Sequence, residues 1–571
     1  MTKFSKLSLT TLLTSAILSL SACSSNSSSD KNTDSQYAPK GKDTFVKANG
    51  ADPESLDPAK LQTNTAAAIA YDIYEGLLSE TQSNTPAPGV AKSWKVSDNG
   101  KVYTFYLRDD AKWSNGEPIT AEDFVYGMQR AVDPKTASPM AYKLGVIVNA
   151  NAIMEGKKSV DSLAVKALDK HTVRITLTDP TYYFLGVMAD PVAAPIYKPM
   201  IDQYGEGAFQ PGKLVSNGAY RLKSWVVNGY ILVEKNPYYW DAKNVHIAKV
   251  KFLPIVSETS ALSAYAAGNA DFTQYIPVDG YQRIKNEYGS QVLSTPWLSM
   301  TYVDFNMTKP PFKDNLKLRE ALSLVINREL LADKVIKQGQ KPLYTYFPSE
   351  VDGGVYKDIA YDWRSWPMEK RIELAKKLYA EAGYSKENPL KISYVYNTAD
   401  KNRKIAETLA AMWRQTLGVQ TSIENSEWKV FLYTRQAKDY HGTARDAWVA
   451  DFNTIDNFAT MWMCGNPQNN SGYCNPKYDA LVKKAEVAKT AKEREQYYRQ
   501  SQELAMKDYN IIPLVSDQIA HLTKPYIVGY DMESNHLDHV YDKWFSFRYA
   551  PTDTDKNQQA KADSSKEESN A

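Results

Sequence analysis

Two spacings of hydrophobic and polar residues divide this chain into predicted strands and helices. In residues 102–108, VYTFYLR, the more polar even positions alternate with aromatic and aliphatic odd positions, as in a hairpin strand. Residues 120–123, TAED, place two carboxylates in the first turn of a predicted helix. In residues 314–327 the apolar side chains recur at the spacing of one helix face, at Leu318, Ala321, Leu322 and Val325.

Helical and strand patterns take turns between residues 365 and 450. The predicted segments, helix and strand in turn, are 367–382, 390–396, 403–417, 419–424, 428–435 and 445–450. Such alternation is typical of βαβ units, whose strands run parallel. We therefore predict an α/β protein.

The last of these strands leads into a carboxylate. Asp451 follows the apolar run of 448–450, where a strand usually leaves its sheet. Ligands of open α/β sheets lie beyond the strand ends, so Asp451 is placed to meet one, although a turn-forming aspartate explains the same position. Arg445 lies on the same face if the strand is regular, about 20 Å away at 3.3 Å per residue.

Composition narrows the range of partners. The chain has 571 residues, 43% of them hydrophobic, which at roughly 150 residues per domain predicts three or four domains. Lys and Arg number 68 against 66 Asp and Glu, so no broad basic field is expected to attract nucleic acid. The 39 Tyr and 12 Trp suit a protein that surrounds a ligand with rings carrying polar tips.

The N-terminus predicts export. Two lysines precede an apolar run over 7–20 that is too short for a stable transmembrane helix, so residues 1–22 are interpreted as a signal peptide. The sequence LSAC, ending at Cys23, resembles a bacterial lipobox and implies a lipidated cysteine, with an ordinary cleavage site as the alternative. Residues 23–40 would then form a flexible polar tether.

The other two cysteines lie in one predicted loop of a chain that is expected to be exported. Cys464 and Cys474 flank a segment rich in Gly, Asn and Pro, and an oxidising compartment favours a disulfide between them. Its contribution to stability would be about 2–3 kcal/mol. A metal pair is the alternative, but it lacks further cysteines or a nearby histidine.

Catalytic motifs are not found in the sequence. The chain contains neither HExxH nor GxSxG, and its one close histidine pair, His536 and His539, is interpreted as part of a loop rather than a metal clamp. We predict no enzyme activity, no catalytic residue, no cofactor and no metal. A secreted peptidase is the alternative from another class.

Three segments resemble the solute-binding proteins of the peptide and nickel group. They are the long run over 88–134, the run SNGAYRLKSWVVNGYILVEKNPYYWD over 216–241, and RDAWVADFN over 445–453. The resemblance extends over most of residues 44–550. Within the group, the chain is most similar to the oligopeptide-binding proteins of bacterial ABC importers. It implies a two-lobed periplasmic-binding-protein-like fold of type II, the large peptide-binding class, with an inserted third subdomain.

The resemblance also implies domain boundaries. Lobe I would be discontinuous, and the predicted segments are a signal peptide (1–22), tether (23–40), lobe I (41–75), inserted subdomain II (76–200), lobe I again (201–298), lobe III (299–518), a return to lobe I (519–550) and a disordered tail (551–571).

By the same resemblance, Asp451 would pair with the α-ammonium of a peptide. The peptide carboxylate would meet Arg435, Arg445 or Lys309, depending on peptide length. The predicted side-chain pockets are lined by Trp428, Trp448, Gln62, Asn64, Met140 and Asn402. Three of these depart from the family pattern, which has an acid at Gln62, a tyrosine at Met140 and a histidine at Asn402.

These features together predict an exported receptor, lipid-anchored to the bacterial membrane on its periplasmic or outer surface. As a monomer it would bind short peptides and deliver them to the permease subunits of an ABC transporter. A murein peptide, glutathione, haem or nickel is the alternative solute within the same family.

Overall fold

The computed structural model describes residues 35–61, 63–277, 279–488 and 490–551, without the side chains of Asp400, Trp428 and Lys429. The described residues from Gln36 onward belong to one compact unit. Several predictions fall outside this range: the signal peptide, Cys23, most of the tether, Gln62, the Trp428 side chain and the tail after 551. None of the helices described here is long and apolar enough to cross a membrane.

The strands are numbered in chain order. They are β1 (Thr44–Ala48), β2 (Leu78–Glu80), β3 (Pro86–Pro88), β4 (Ala91–Ser97), β5 (Val102–Leu107), β6 (Val165–Asp169), β7 (Thr172–Thr176), β8 (Tyr220–Val226), β9 (Tyr230–Lys235), β10 (Lys249–Leu253), β11 (Phe272–Thr273), β12 (Val292–Phe305), β13 (Lys341–Pro342), β14 (Lys391–Asn397), β15 (Gln420–Ser426), β16 (Gly442–Val449), β17 (Ile511–Thr523), β18 (Ile527–Val528) and β19 (Ser546–Phe547).

The α-helices, which short 3₁₀ turns supplement, are numbered in the same way. They are α1 (Asn64–Ile73), α2 (Ala121–Val132), α3 (Ala150–Met154), α4 (Phe184–Val187), α5 (Lys198–Tyr204), α6 (Glu258–Ala266), α7 (Tyr281–Tyr288), α8 (Leu316–Leu324), α9 (Arg328–Leu330), α10 (Met368–Glu381), α11 (Asp400–Leu417), α12 (Trp428–Gln436), α13 (Asp456–Ala459), α14 (Pro476–Glu486) and α15 (Ala491–Asp508).

Most of the longer strands belong to one mixed sheet. Its order is β15-β14-β16-β12-β17-β11-β1-β10-β9-β8, with β13 paired to β17. The two long strands β12 and β17 pair antiparallel over much of their length and connect the parts of the sheet on either side of them. A second sheet, β4-β5-β7-β6, is antiparallel.

The predicted βαβ units are confirmed. Strand β14 pairs parallel with both β15 and β16, and α11 and α12 form the successive connections. The start of α2 is confirmed as well, because the backbone N of Thr120 donates to Asp123 Oδ2 at 2.7 Å. Parallel strands bring their carboxyl ends to one edge of the sheet, and β16 therefore ends where ligands of such sheets lie.

Three large hydrophobic cores lie within this unit. One contains buried residues from Leu298 to Leu537, a second contains residues from Ala59 to Ala193, and a third combines residues near both ends of the described range, from Ala38 to Phe547. Separate cores allow the regions between them to form clefts. The domain boundaries given above stay predictions.

Candidate functional site

A cavity of about 620 Å³ lies where segments from distant parts of the chain meet. Its walls come from the start of α1, the turn after α2, the end of β16, helix α12 and the loop before β19. Most small-ligand pockets have volumes of about 300–1,000 Å³. The cavity is therefore large enough for a small ligand.

A second concavity of about 790 Å³ lies along α11 and the edge strand β15. Much of the β15 surface is exposed, and the lining includes none of the site residues predicted from the sequence. We therefore place the candidate site in the 620 Å³ cavity, where charged side chains converge.

Asp451 lies in the wall of this cavity, two residues after the end of β16. Its Oδ2 accepts a hydrogen bond from the Tyr142 hydroxyl at 3.2 Å, and its Oδ1 lies 2.9 Å from Lys143 Nζ. Its backbone N donates to Asn457 Oδ1 at 2.9 Å, which holds the start of the loop. Both side-chain partners belong to the 3₁₀ turn at Ala141–Leu144, far from Asp451 along the chain.

Lys143 also contacts a second carboxylate. Its Nζ lies 2.6 Å from Asp190 Oδ2, and the other oxygen of Asp190 accepts from the backbone N of Val192 at 2.9 Å. Burial lowers the pKa of the Lys143 ammonium, but the carboxylates of Asp190 and Asp451 outweigh it and bring the pKa well above its ordinary value. Lys143 is therefore charged at neutral pH.

Arg435 reaches the cavity from α12 and pairs with Asp446 of β16. The second carboxylate oxygen of Asp446 accepts from Asn470 Nδ2 at 3.0 Å. Both members of the ion pair are nearly inaccessible, at 10% and 2% side-chain exposure. The guanidinium predicted to meet a ligand carboxylate thus has a counter-ion of its own.

Asp304 on β12 lies close to this ion pair. Burial raises the pKa of its carboxyl well above the usual range, and the neighbouring charge of Asp446 raises it further, whereas Arg435 opposes both effects. Arg435 is therefore the larger of two cationic influences on the Asp304 carboxyl, with Lys438 the other, and together they do not offset burial.

Arg445 does not line this cavity. Strand β16 ends at Val449, before Asp451, so no regular strand connects the two residues and the expected common face does not follow. The Arg445 Nη1 donates to Asn397 Oδ1 at 3.4 Å, and Asn402 Nδ2 donates to the same oxygen at 3.0 Å.

Neither Asn402 nor the half-buried Lys309 contributes to the lining. Their contacts with a ligand, and that of Arg445, stay predictions.

Three of the predicted pocket residues do line the cavity: Asn64, Met140 and Trp448. Several polar atoms near them are buried without a hydrogen-bond partner among the described residues, namely Trp448 Nε1, Arg435 Nε and Asn470 Oδ1. Unpaired buried polar atoms are costly in protein interiors. All three belong to residues that line the cavity, which suits the amide groups of a polar ligand.

The two histidines of the close pair turn to different partners. His536 Nδ1 lies 2.9 Å from the carbonyl oxygen of Pro296, whereas His539, which lines the cavity, lies 2.9 Å from Glu80 Oε2. The described residues contain no group of His, Cys, Asp or Glu side chains arranged to hold a metal ion. The interpretation as loop residues agrees with this geometry.

No pattern in the sequence marked Tyr142, Lys143, Asp190 or His539 as cavity residues, although all four line the cavity. Tyr142 and Lys143 lie in a short 3₁₀ turn without amphipathic spacing, and 309 residues separate Tyr142 from Asp451. Asp190 precedes a proline, which is typical of a helix cap, and His539 belongs to the close histidine pair, but neither feature indicates a ligand.

The two loop cysteines are adjacent in space. The Sγ atoms of Cys464 and Cys474 lie 2.15 Å apart, and their Cα atoms are 4.5 Å apart. The loop between them contributes Pro467, Gln468 and Asn470 to the cavity wall.

Comparison with known proteins gives a consistent result. The sequence model described as "Bacterial extracellular solute-binding proteins, family 5 Middle" matches residues 85–470. The periplasmic oligopeptide-binding protein OppA of Escherichia coli is 40% identical over 507 residues, which cover 88% of this chain and 92% of that protein.

Two solved structures are similar over nearly their full length. Haemophilus influenzae OppA, in complex with the peptide RPPGFSPFR, has a TM-score of 0.80 at 35% identity and covers 89% of this chain and 99% of that one. The Escherichia coli murein tripeptide binding protein MppA has a TM-score of 0.82 at 35% identity, with 90% and 100% covered. The predicted two-lobed α/β binding-protein fold is confirmed.

Proposed function

Since this chain belongs to family 5 of the bacterial extracellular solute-binding proteins, we propose that it captures short peptides outside the cytoplasm and delivers them to the permease of an ABC transporter. The family consists of binding proteins rather than enzymes, in agreement with the prediction of no catalysis. The observation that carries the proposal is the position of Asp451 in the wall of a cavity that also contains Arg435 and unpaired polar atoms.

The chemistry of a peptide matches this wall. A zwitterionic peptide needs an anion near its ammonium, a cation near its carboxylate and hydrogen-bonding groups between them. Asp451 supplies the first, and Trp448 Nε1 and Asn470 Oδ1 supply polar atoms along the wall. Arg435 supplies a cation, with Arg445 and Lys309 proposed for other peptide lengths.

The side chains of the peptide would then enter the surrounding pockets. Met140, Asn64 and Trp448 line the cavity, and we propose that Gln62 and Trp428 also contact peptide side chains there. For Asn402, which is not part of this lining, we propose contact with a peptide side chain beyond it. Terminal and backbone contacts are common to all short peptides, so affinity should vary little with side-chain identity.

Isothermal titration with a free-amino peptide such as trialanine tests the proposal. We expect saturable binding, and mass spectrometry should recover the peptide intact after incubation. Hydrolysis of the peptide would support the peptidase alternative, and no binding of any short peptide would overturn the proposal.

A murein peptide is the second candidate ligand, because the similarity to the murein tripeptide binding protein is as extensive as that to OppA. Mass spectrometry of ligand retained through purification separates the two. Murein peptides contain amino acids that ordinary protein fragments lack.

We further propose that Cys23 carries a lipid that attaches the protein to the membrane as a monomer. The Cys23→Ala variant should appear in the soluble fraction, because no other segment of the chain is apolar enough to anchor it once the signal peptide is removed. Fractionation followed by immunoblotting measures this. Retention in salt-washed membranes would contradict the lipid anchor.

We also propose a disulfide between Cys464 and Cys474, supported by their adjacency and by export to an oxidising compartment. The disulfide would hold the loop that carries Asn470 against the cavity. A non-reducing peptide map would reveal it as a cross-linked pair of peptides.

A further inference from the structure

The Asp451 carboxylate, proposed to bind the ligand's ammonium, already forms an ion pair with a lysine of the protein, Lys143. Lys143 Nζ lies between Asp451 Oδ1 and Asp190 Oδ2, at 2.9 and 2.6 Å. The side chains of Lys143, Asp190 and Asp451 are only 8%, 14% and 23% exposed. We call these three side chains the ammonium cluster.

Two further hydrogen bonds hold the carboxylates of the ammonium cluster in place. Asp190 caps the turn at Pro191–Ala193 through its other oxygen, and Asp451 accepts from the Tyr142 hydroxyl through its other oxygen. Asp190 therefore keeps Lys143 within reach whether or not Asp451 takes another cation.

The charges of the cluster do not cancel. Two carboxylates and one ammonium leave a net charge of −1, so one further cation would make the cluster neutral. A peptide with a free N-terminus brings that cation to Asp451 while Lys143 remains on Asp190. A peptide with a blocked N-terminus brings none, but Asp451 still keeps Lys143 as its counter-ion.

The binding of a peptide with a blocked N-terminus is the unusual case. A buried carboxylate that loses its only cation is strongly destabilised, and a site with Asp451 alone would reject blocked peptides for that reason. Here the lysine removes the penalty. A lysine ammonium has three donors: Lys143 donates one to Asp190 Oδ2, and Asp451 Oδ1 lies 2.9 Å from Nζ as an ion-pair partner, which leaves an N–H to donate to the carbonyl oxygen of an N-acyl group.

We propose that Lys143 is a built-in counter-ion that allows the cavity to bind N-acylated peptides as well as peptides with a free N-terminus. The inference rests on the proposed peptide-binding function and adds a ligand class to it. Lys143 is thus a specificity-determining residue: it sets how strongly the protein distinguishes the two kinds of N-terminus.

A simpler role for Lys143 is to tie the two cavity walls together. In that case, loss of the lysine would weaken both kinds of peptide by the same factor. The ratio of the two affinities separates the roles, because only a counter-ion for Asp451 changes the preference between a charged and an uncharged terminus.

The test compares trialanine with N-acetyl-trialanine by isothermal titration at pH 7. The wild-type protein should bind both within about tenfold, whereas Lys143→Met and Lys143→Gln should increase the preference for the free peptide by at least about 30-fold. Lys143→Arg keeps a cation and should behave like the wild type. Lys101→Met, which removes an exposed ion pair with Asp179, is the matched control and should leave the ratio unchanged.

Two results would overturn the inference alone. One is a preference of the wild type for the free peptide over the acetylated peptide of more than about 30-fold, and the other is an equal loss of both affinities in the Met and Gln variants. Failure of the wild type to bind either peptide would instead overturn the proposed function and this inference together. The wild-type ratio needs no variant, so a misfolded substitution does not remove the test.

Discussion

Replacement of Asp451 by asparagine should weaken binding of a free-amino peptide by about 2–5 kcal/mol, the usual cost of removing one member of a desolvated charge pair. The peptide ammonium would lose the carboxylate that neutralises it and would still lie near Lys143. Asparagine keeps an oxygen that can accept from the Tyr142 hydroxyl, and Lys143 keeps Asp190, so the fold should be retained. Isothermal titration of wild type and variant measures the difference.

The same variant should discriminate less between peptide termini. An N-acetylated peptide does not use the negative charge of Asp451, so its affinity should change much less than that of the free peptide. Asp202→Asn removes a carboxylate from an exposed ion pair with Lys198 and provides the control. A loss of less than about fivefold for the free peptide, well below the energies measured for such pairs, would refute the role given to Asp451.

Replacement of Arg435 by methionine should lower the free energy of unfolding by about 3–5 kcal/mol near neutral pH, because breaking a buried ion pair leaves an uncompensated charge. The charge left behind is the Asp446 carboxylate, beside the buried carboxyl of Asp304. A domain is stable by only about 5–15 kcal/mol, so the effect should be evident in urea denaturation.

The loss should depend on pH in a definite direction. Burial and Asp446 raise the pKa of Asp304, and removal of Arg435 takes away the larger of the two nearby positive charges that lower it, the other being Lys438. An acid with a raised pKa in the folded state stabilises the fold below its unfolded pKa, and this contribution is lost as the pH rises through the folded value. The variant should therefore lose more stability than the wild type as the pH rises through the folded pKa of Asp304, which urea denaturation at a series of pH values measures.

A double variant provides the control for this prediction. Adding Asp446→Asn to Arg435→Met removes the stranded charge and should recover about half of the lost stability or more. Arg283→Met breaks an exposed pair on α7 and should have little effect. A loss of less than about 1 kcal/mol for Arg435→Met, as in exposed ion pairs, would show that the pair with Asp446 contributes little.

Local patterns predicted much of the architecture around the site. The alternation of helices and strands before Asp451 correctly gave parallel strands, because a period of two or of 3.6 is a property of a few consecutive residues. The start of α2 at Thr120 was predictable for the same reason, since a capping box involves residues only three apart.

The resemblance to oligopeptide-binding proteins supplied what periodicity could not. It selected Asp451, Arg435, Trp448, Asn64 and Met140, all of which line one cavity. It also selected Arg445, Lys309 and Asn402, which do not line it. Family motifs indicate which residues belong together, but the partners available to each of them in this chain depend on its own substitutions.

The sequence by itself therefore determined the fold class, the position of Asp451 after a strand and the candidate ligand class. Only the tertiary structure revealed that Lys143 and Tyr142 share the Asp451 carboxylate, that Asp190 holds Lys143 there, and that Arg435 is neutralised by Asp446. The physical reason is that periodicity and capping act over a few residues, whereas counter-ions are chosen by packing. A carboxylate buried in a cavity wall pairs with the cation that folding brings within about 3 Å of it, however far away that cation lies in the chain.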